Sequence, residues 1–252
     1  MMPRYITSTT LFAGLTVLLS AGSGSAQIPE EFDNLQVLDH EISRGELVSL
    51  MRGFASALGL RCNSCHVGDD PDDLEGYDFA SDEKELKVVA RGMLEMVGEI
   101  NETFIPLAGR AEHMQVQCAT CHRGLRVPLA LRALMLQTID EEGTEAAVTR
   151  YGELRDQYYG RAAYDFGQGS LNNVAETLAR RGDVEDALTI IRLNIEHNPD
   201  IGYPNVLHAQ ILFMMEDREG AIAAIERAIE LEPDNDFYKQ QLERLRSPGQ
   251  SP

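Results

Sequence analysis

The four cysteines of the chain fall into two short motifs that each end in histidine. Residues 62–66 read CNSCH and residues 118–122 read CATCH. Two thiols three positions apart can form thioether bonds with the two vinyl groups at one edge of a porphyrin, and the adjoining histidine then binds the iron. The sequence therefore predicts two covalently bound haem c groups, attached through Cys62, Cys65, Cys118 and Cys121, with His66 and His122 as iron ligands.

Other uses of paired cysteines fit the pattern less well. Residues 66–117 separate the two pairs, which is far more than the roughly 15–20 residues between the pairs of a zinc ribbon. Disulfides would not require a histidine after both pairs, and thioredoxin-like redox chemistry requires a βαβ context that the sequence lacks. Two C-x-x-C-H motifs with no cysteine left over favour haem.

Composition excludes several classes of protein. The chain has 252 residues, 43% of them hydrophobic, and a formal net charge of −19. This balance excludes a disordered chain, and the acidic charge argues against a general nucleic-acid binder. The chain has no tryptophan and only 6% aromatic residues, so a large apolar cofactor would supply volume that the side chains do not.

The amino terminus has the features of a secretory signal peptide. Residues 1–26 combine one early cation, an apolar stretch and small residues before an expected cut after Ala26. The sequence therefore predicts an exported, periplasmic protein, soluble or peripheral at the membrane. The alternative is an amino-terminal anchor that is not cleaved.

An amphipathic helix is predicted before each motif, and each carries methionine on its apolar face. The first begins with a capping box of Ser43 and Glu46 and includes Met51. The second is predicted to begin near Ser81 and carries Met93 and Met96, three positions apart. Methionine is a usual sixth ligand of haem iron, although on a helix face it more often fills core gaps.

Around the two motifs, a distinctive set of residues follows in a fixed order along the first half of the chain: 51–55, 58–59, 79–82, 87, 90–93, 96, 100–101 and 121–124. In these residues this half resembles the cytochrome subunit of photosynthetic reaction centres. In that family each haem unit is a helix with an axial methionine, a loop and C-x-x-C-H. The resemblance implies Met51 opposite His66 and Met96 opposite His122, with Met93 as the alternative to Met96. Family members that serve reaction centres carry four haems, so this chain is similar to their first half.

The second half predicts a small tetratricopeptide array. Aligning Pro199 with Pro233, 34 residues later, superposes alanines and large apolar residues at helix-packing positions, which is the tetratricopeptide pattern. The predicted fold class is all-α, a multihaem c-type cytochrome domain followed by a helical-hairpin array. The predicted divisions are a signal peptide at 1–26, the dihaem domain at 27–140, a connecting helix or linker at 141–165, and the repeats with a capping helix at 166–252.

These features predict a function in one-electron transfer without enzymatic activity. The expected partners are redox proteins, either a membrane complex or a basic soluble carrier, with docking through the repeats and no binding of nucleic acid. The first alternative is a haem-bearing scaffold or assembly protein whose main activity is partner binding. The second is a dihaem peroxidase-like enzyme, which would need one iron with a vacant or displaceable ligand.

Overall fold

The computed structural model describes residues 31–70, 73–109 and 114–247, which form helices and no β-strand. The predicted signal peptide and residues 71–72 lie outside the described residues. The chain divides into two compact units. The first extends to Arg44 and resumes over Arg61–Met93; the second comprises Gly45–Leu60 and the chain from Leu94 onward. Within the described ranges, no helix has the length and apolar character needed to cross a bilayer.

The helix before the first motif, α1, spans Arg44–Leu58. It begins directly after Ser43, which confirms the predicted start. Leu47 and Ala57 are buried on its inner face. The helix ends at Gly59, whose positive φ of +65° is a conformation that residues with a Cβ rarely adopt.

The helix before the second motif, α2, spans Glu85–Glu99. The predicted start at Ser81 is therefore wrong by four residues. The side chain of Asp78 accepts hydrogen bonds from the backbone N–H groups of Ala80 and Ser81, at 3.0 and 2.9 Å, and so folds this segment into a turn. Local side-chain bonds of this kind compete with helix formation, which explains the later start.

After α2 the chain changes from α-helical to π-helical geometry before the second motif. One π-helical turn, Ile100–Phe104, leads into a short α3, Ile105–Leu107. Pro106 has no N–H to donate to a carbonyl four residues earlier, which favours the irregular turn before it. The second motif itself forms α4, Cys118–His122.

Seven further helices make up the rest of the described chain. They are α5 (Leu131–Glu142), α6 (Thr144–Tyr158), α7 (Gln168–Arg181), α8 (Val184–His197), α9 (Tyr203–Met214), α10 (Arg218–Leu231) and α11 (Asp236–Arg246). A connecting helix was predicted within residues 141–165 and a capping helix at the end of the repeats, and α6 and α11 are found at these places.

Helices α7–α10 form two successive antiparallel pairs, α7 with α8 and α9 with α10, with equivalent positions 34 residues apart. The equivalent residues are all buried: Ala175 and Ala209, Leu178 and Leu212, Ala187 and Ala221, Ile191 and Ile225. A third pair, α5 with α6, shares a hydrophobic core with α7 and α8 through side chains such as Met135 and Tyr151. Helix α11 packs on α10 at the other end and contributes Tyr238 and Leu245 to the second core. Stacked pairs bury faces that one pair alone would leave exposed.

Candidate haem-binding sites

The first motif folds into a single tight turn. Cys62–Ser64 is a 3₁₀ helix, and the backbone N–H groups of Cys65 and His66 both donate to the carbonyl oxygen of Cys62, at 3.2 and 3.0 Å. Both thiols are free. Burial, with a smaller contribution from the neighbouring Cys62, raises the pKa of the Cys65 thiol. The turn thus holds two unmodified thiols and the imidazole close together in the chain.

The imidazole of His66 lies against an aromatic loop. The edge of its ring meets Phe79 with centroids 5.1 Å apart, and Phe79 stacks on Tyr77 at 5.4 Å. Nδ1 of His66 is buried and has no hydrogen-bond partner among the residues that the structure describes. Burial, followed by the charge of Lys87, lowers the pKa of His66 and favours the neutral imidazole. A neutral ring is the form that binds metal.

Lys87 fastens the loop that carries Phe79 to α2. Its ammonium donates to the backbone carbonyl oxygens of Phe79, Ala80 and Ser81, at 2.9, 2.8 and 2.8 Å. Only 12% of the Lys87 side chain is exposed. Hydrogen bonds from a charged, shielded donor are stronger than neutral ones. In the sequence, Lys87 stands out only as one of the residues that carry the family resemblance.

A second set of polar contacts closes the same loop around Asp82. Arg91 contacts both carboxylate oxygens of Asp82, at 2.8 and 2.9 Å, and the Lys87 ammonium lies 3.1 Å from one of them. Asn34 donates to the Asp82 carboxylate at 3.0 Å and to the carbonyl of Ala80. Arg91 first, then Asn34, hold the pKa of Asp82 well below its usual range. The spacing of Lys87 and Arg91, one helical turn apart on α2, could have indicated this site from the sequence. Nothing in the sequence indicates the contact with Asn34, because Asn34 lies 48 positions from Asp82.

The second motif orients its histidine through a backbone carbonyl. Nδ1 of His122 lies 2.8 Å from the carbonyl oxygen of Leu125. Because a carbonyl can only accept, Nδ1 carries the hydrogen and Nε2 keeps its lone pair. Iron-binding and zinc-binding histidines are commonly oriented by such a bond from the other ring nitrogen. Cys118 and Cys121 are also free thiols, and Cys121 is exposed.

Asn101 ties the segment before the second motif to the π-helical turn. Its side-chain amide donates to the carbonyl oxygen of Val116 at 2.8 Å, and its side-chain oxygen accepts from the N–H of Val116 at 2.7 Å. Directly after Val116, the backbone N–H of Gln117 donates to the hydroxyl of Thr120 at 3.0 Å and supports the start of α4. Side-chain hydrogen bonds therefore fix the backbone at Val116 and Gln117, directly before the second motif.

The predicted methionine ligands lie on the two helices that precede the motifs. Met51 is half-buried on α1. Met93 and Met96 on α2 are 43% and 46% exposed, so neither fills a protein core. No residue of α2 is buried. Other large apolar side chains of this region are also exposed: Val88, Val89, Phe104, Leu107, Met114 and Val127.

The residues of both motifs fit a covalently attached haem. Each motif offers two free thiols and one imidazole: Nδ1 of His66 has no hydrogen-bond partner among the described residues, and Nε2 of His122 keeps its lone pair. Helix α2 carries exposed apolar and thioether side chains. Haem is a large, mostly apolar group that such surfaces suit. When bound, it supplies an iron atom that takes up and releases one electron.

Comparison with known proteins agrees with this chemistry. Residues 15–157, more than half of the chain, match the family described as photosynthetic reaction centre cytochrome C subunit. The chain belongs to this family. The match includes both motifs and extends through α5 and most of α6, beyond residues 51–124, which carry the resemblance in the sequence. Membership makes the chain a c-type cytochrome, a class defined by covalently bound haem.

Individual relatives cover the same region. Cytochrome c-554 of Chloroflexus aurantiacus is 38% identical over 90 residues, which are 35% of this chain and 20% of that protein. The photosynthetic reaction center cytochrome c subunits of Thermochromatium tepidum and Rubrivivax gelatinosus are 33% and 31% identical over 113 and 115 residues. The chain spans about a fifth to a quarter of the length of these relatives.

Proposed function

We propose that the protein is an exported c-type cytochrome that carries two haems and relays single electrons between redox partners in the periplasm or at the membrane. The observation that carries the proposal is that both CxxCH motifs form a helical turn with free thiols and a histidine that has a nitrogen available for iron. Family membership supports electron transfer as the activity.

The proposed iron ligands are His66 with Met51 at the first haem and His122 with Met96 at the second, with Met93 as the alternative to Met96. Methionine and histidine together saturate the iron and raise its reduction potential. Such iron has no open position for peroxide or oxygen, which favours electron transfer over a peroxidase-like activity. The exposure of both α2 methionines supports a role for one of them beyond core packing.

Two measurements on the purified protein test the haem count and the ligation. Its mass should exceed that of the peptide after residue 26 by two haem groups, which also reports the signal cut. Absorption spectra of the reduced protein should be unchanged by carbon monoxide. A mass equal to the bare peptide would end the proposal, and rapid carbon monoxide binding at one haem would favour the peroxidase alternative.

Replacing Met51 tests the ligand of the first haem. In Met51→Ala we expect one of two methionine–iron charge-transfer bands in the near infrared to disappear, because the thioether that produces it is removed. Met214→Ala is a matched control, since Met214 is a 51% exposed methionine on α9, in the helical array. A full-intensity band in Met51→Ala would show that Met51 is not a ligand.

The strongly acidic charge supports a basic redox partner. Opposite charges raise the rate of encounter, and salt reduces this gain. We expect electron transfer to a small basic c-type cytochrome, used as a probe, to slow between about 0.01 and 0.5 M ionic strength. Transfer to an acidic carrier of similar potential should become faster over the same range. Rates that do not change with salt would contradict steering by charge.

Helices α7–α11 are proposed to be a tetratricopeptide array that docks the cytochrome to a protein partner. The 34-residue equivalence of buried alanines in its two repeats supports this assignment. Leucine at either of the equivalent positions, Ala187→Leu or Ala221→Leu, should destabilise the chain by about 1–3 kcal/mol through overpacking. Urea unfolding measures this loss, and an effect at only one of the two positions would contradict their equivalence.

One observation favours a scaffold as the second candidate function. The two hydrophobic cores formed by α5–α11 contain no residue of the haem motifs or of α1 and α2. The array therefore has the means to stay folded without haem. In a variant with all four cysteines changed to serine, a scaffold would bind its partner with unchanged affinity and would still support assembly of the partner complex. A relay would lose its whole function in the same variant, because no electrons could pass.

A further inference from the structure

The carboxyl end of α1 contacts the turn that follows the second motif. The backbone N–H of Gly124 donates to the carbonyl oxygen of Ala57 at 2.8 Å. Gly59, which ends α1, lies so close to the same turn that a Cβ built on it would be 2.3 Å from the carbonyl oxygen of Gly124. That oxygen belongs to the backbone, which cannot move aside as a flexible side chain would. Only glycine allows this approach.

The turn in contact with α1 is the one that orients His122. Arg123 and Gly124 both have positive φ, +48° and +87°, and reverse the chain direction directly after the histidine. The N–H of Leu125 donates to the carbonyl oxygen of His122 at 2.8 Å, and the Leu125 carbonyl accepts from His122 Nδ1. Leu125 is 5% exposed, so its position is fixed by packing. A shift of this turn would move the carbonyl that sets the ring orientation.

We propose that Gly59 is a positioning residue for His122. Its close approach to Gly124 holds the 123–125 turn, and the turn holds the imidazole. The helix that carries Met51, the proposed ligand at the first motif, is thereby fastened to the ligand of the second. This inference rests on the proposed haem-binding function.

The substitution Gly59→Ala tests the contact. Alanine at this position adds one methyl group against the Gly124 carbonyl and also strains the backbone at positive φ. Gly160→Ala is the matched control, because Gly160 has a similar φ of +76° but no atom within 4 Å of the added Cβ. The control therefore imposes the same kind of backbone strain without the contact. The readouts are haem mass, the near-infrared methionine–iron bands and carbon monoxide binding.

We expect the mass of Gly59→Ala to show that both haems are still attached. One of the two haems should bind carbon monoxide, and one near-infrared methionine–iron band should be lost. Gly160→Ala should behave as the unmodified protein. The affected haem is assigned with Cys62→Ser and Cys65→Ser, which leave only the second haem attached. The gain of carbon monoxide binding by Gly59→Ala should persist in that background. Its absence there, or identical spectra for Gly59→Ala and the unmodified protein, would overturn the inference.

A second substitution keeps the inference testable if Gly59→Ala does not mature. Gly59→Asn relieves the backbone strain, since asparagine tolerates positive φ, but it retains the Cβ. It should reproduce the carbon monoxide phenotype, and spectra identical to the unmodified protein would refute a positioning role. An unmodified protein that carries no haem would overturn both the proposed function and this inference. If the unmodified protein carries two haems and the Gly59 variants have the same spectra, only this inference is overturned.

Discussion

Replacing Lys87 should lower the free energy of unfolding of the protein. In Lys87→Leu the ammonium that binds three carbonyl oxygens is lost, while a good helix former remains in α2. A hydrogen bond from a charged group contributes about 1.5–3 kcal/mol. The three bonds share one ammonium and the loop regains some water contacts, so the sum is smaller than three independent bonds. We expect the free energy of unfolding to fall by about 2–4 kcal/mol.

The assay is urea unfolding of the haem-loaded protein, followed by far-ultraviolet circular dichroism and by haem absorbance. Because Lys87 holds the loop in which Phe79 packs on His66, we also expect a change in the absorption of one haem. Lys84→Leu is the matched control, since it removes the same charge from the same segment and leaves the three carbonyl contacts intact.

Three results would contradict the prediction for Lys87→Leu. The first is a stability loss of less than about 0.5 kcal/mol, which is the range of ordinary surface substitutions. The second is an equal loss in Lys84→Leu, which would mean that charge alone, and not the carbonyl contacts, stabilises the segment. A spectrum unchanged in both haems would show that the loop does not determine the surroundings of His66.

Three further predictions concern other parts of the chain. Asn101→Ala leaves the N–H and carbonyl of Val116 without their side-chain partner and should cost about 1–3 kcal/mol in thermal unfolding; an unchanged melting temperature would contradict the clamp. Met96→Ala should remove one methionine–iron band, and loss of the band in Met93→Ala instead would transfer the assignment. Burial, then a hydrogen bond to a glutamate, raises the pKa of Tyr238 from 10.0 to about 12. Its neutral form therefore stabilises the fold below pH 10, and this contribution is lost as the pH rises towards 12. Circular dichroism should show that Tyr238→Phe loses less stability above pH 10 than the unmodified protein. Equal alkaline unfolding transitions in the two proteins would contradict this prediction.

Local signals predicted some helix boundaries well and failed where distant residues intervene. Helix α1 begins directly after Ser43, and α11 follows the repeats, where a capping helix was predicted. In both cases capping residues and apolar spacing lie within the helix or beside it. The start of α2 was placed four residues early, because Asp82 resembles a first-turn acid and in fact pairs with Arg91 and with Asn34, 48 positions away.

The grouping of helices was harder to predict than their existence. The 34-residue repeat identified two helix pairs, and their equivalent residues are buried as the spacing required. The membership of α5 in the same core was not predicted, because α5 has no counterpart in the repeat that would give a periodic signal. Residues such as Met135 in α5 and Tyr151 in α6 complete the core. The predicted domain boundaries remain predictions.

The sequence by itself determined the chemistry of this protein. Two thiols and a histidine at fixed spacing predict covalent haem attachment, because the porphyrin requires those groups within one turn of chain. The tertiary structure alone decided how the histidines are held, by the Leu125 carbonyl at one site and by Phe79 and the Lys87 contacts at the other. The physical reason is that a backbone carbonyl has no residue type. Which one lies within hydrogen-bonding distance of a side chain depends on the path of the folded chain, as the contact between Gly59 and Gly124 illustrates.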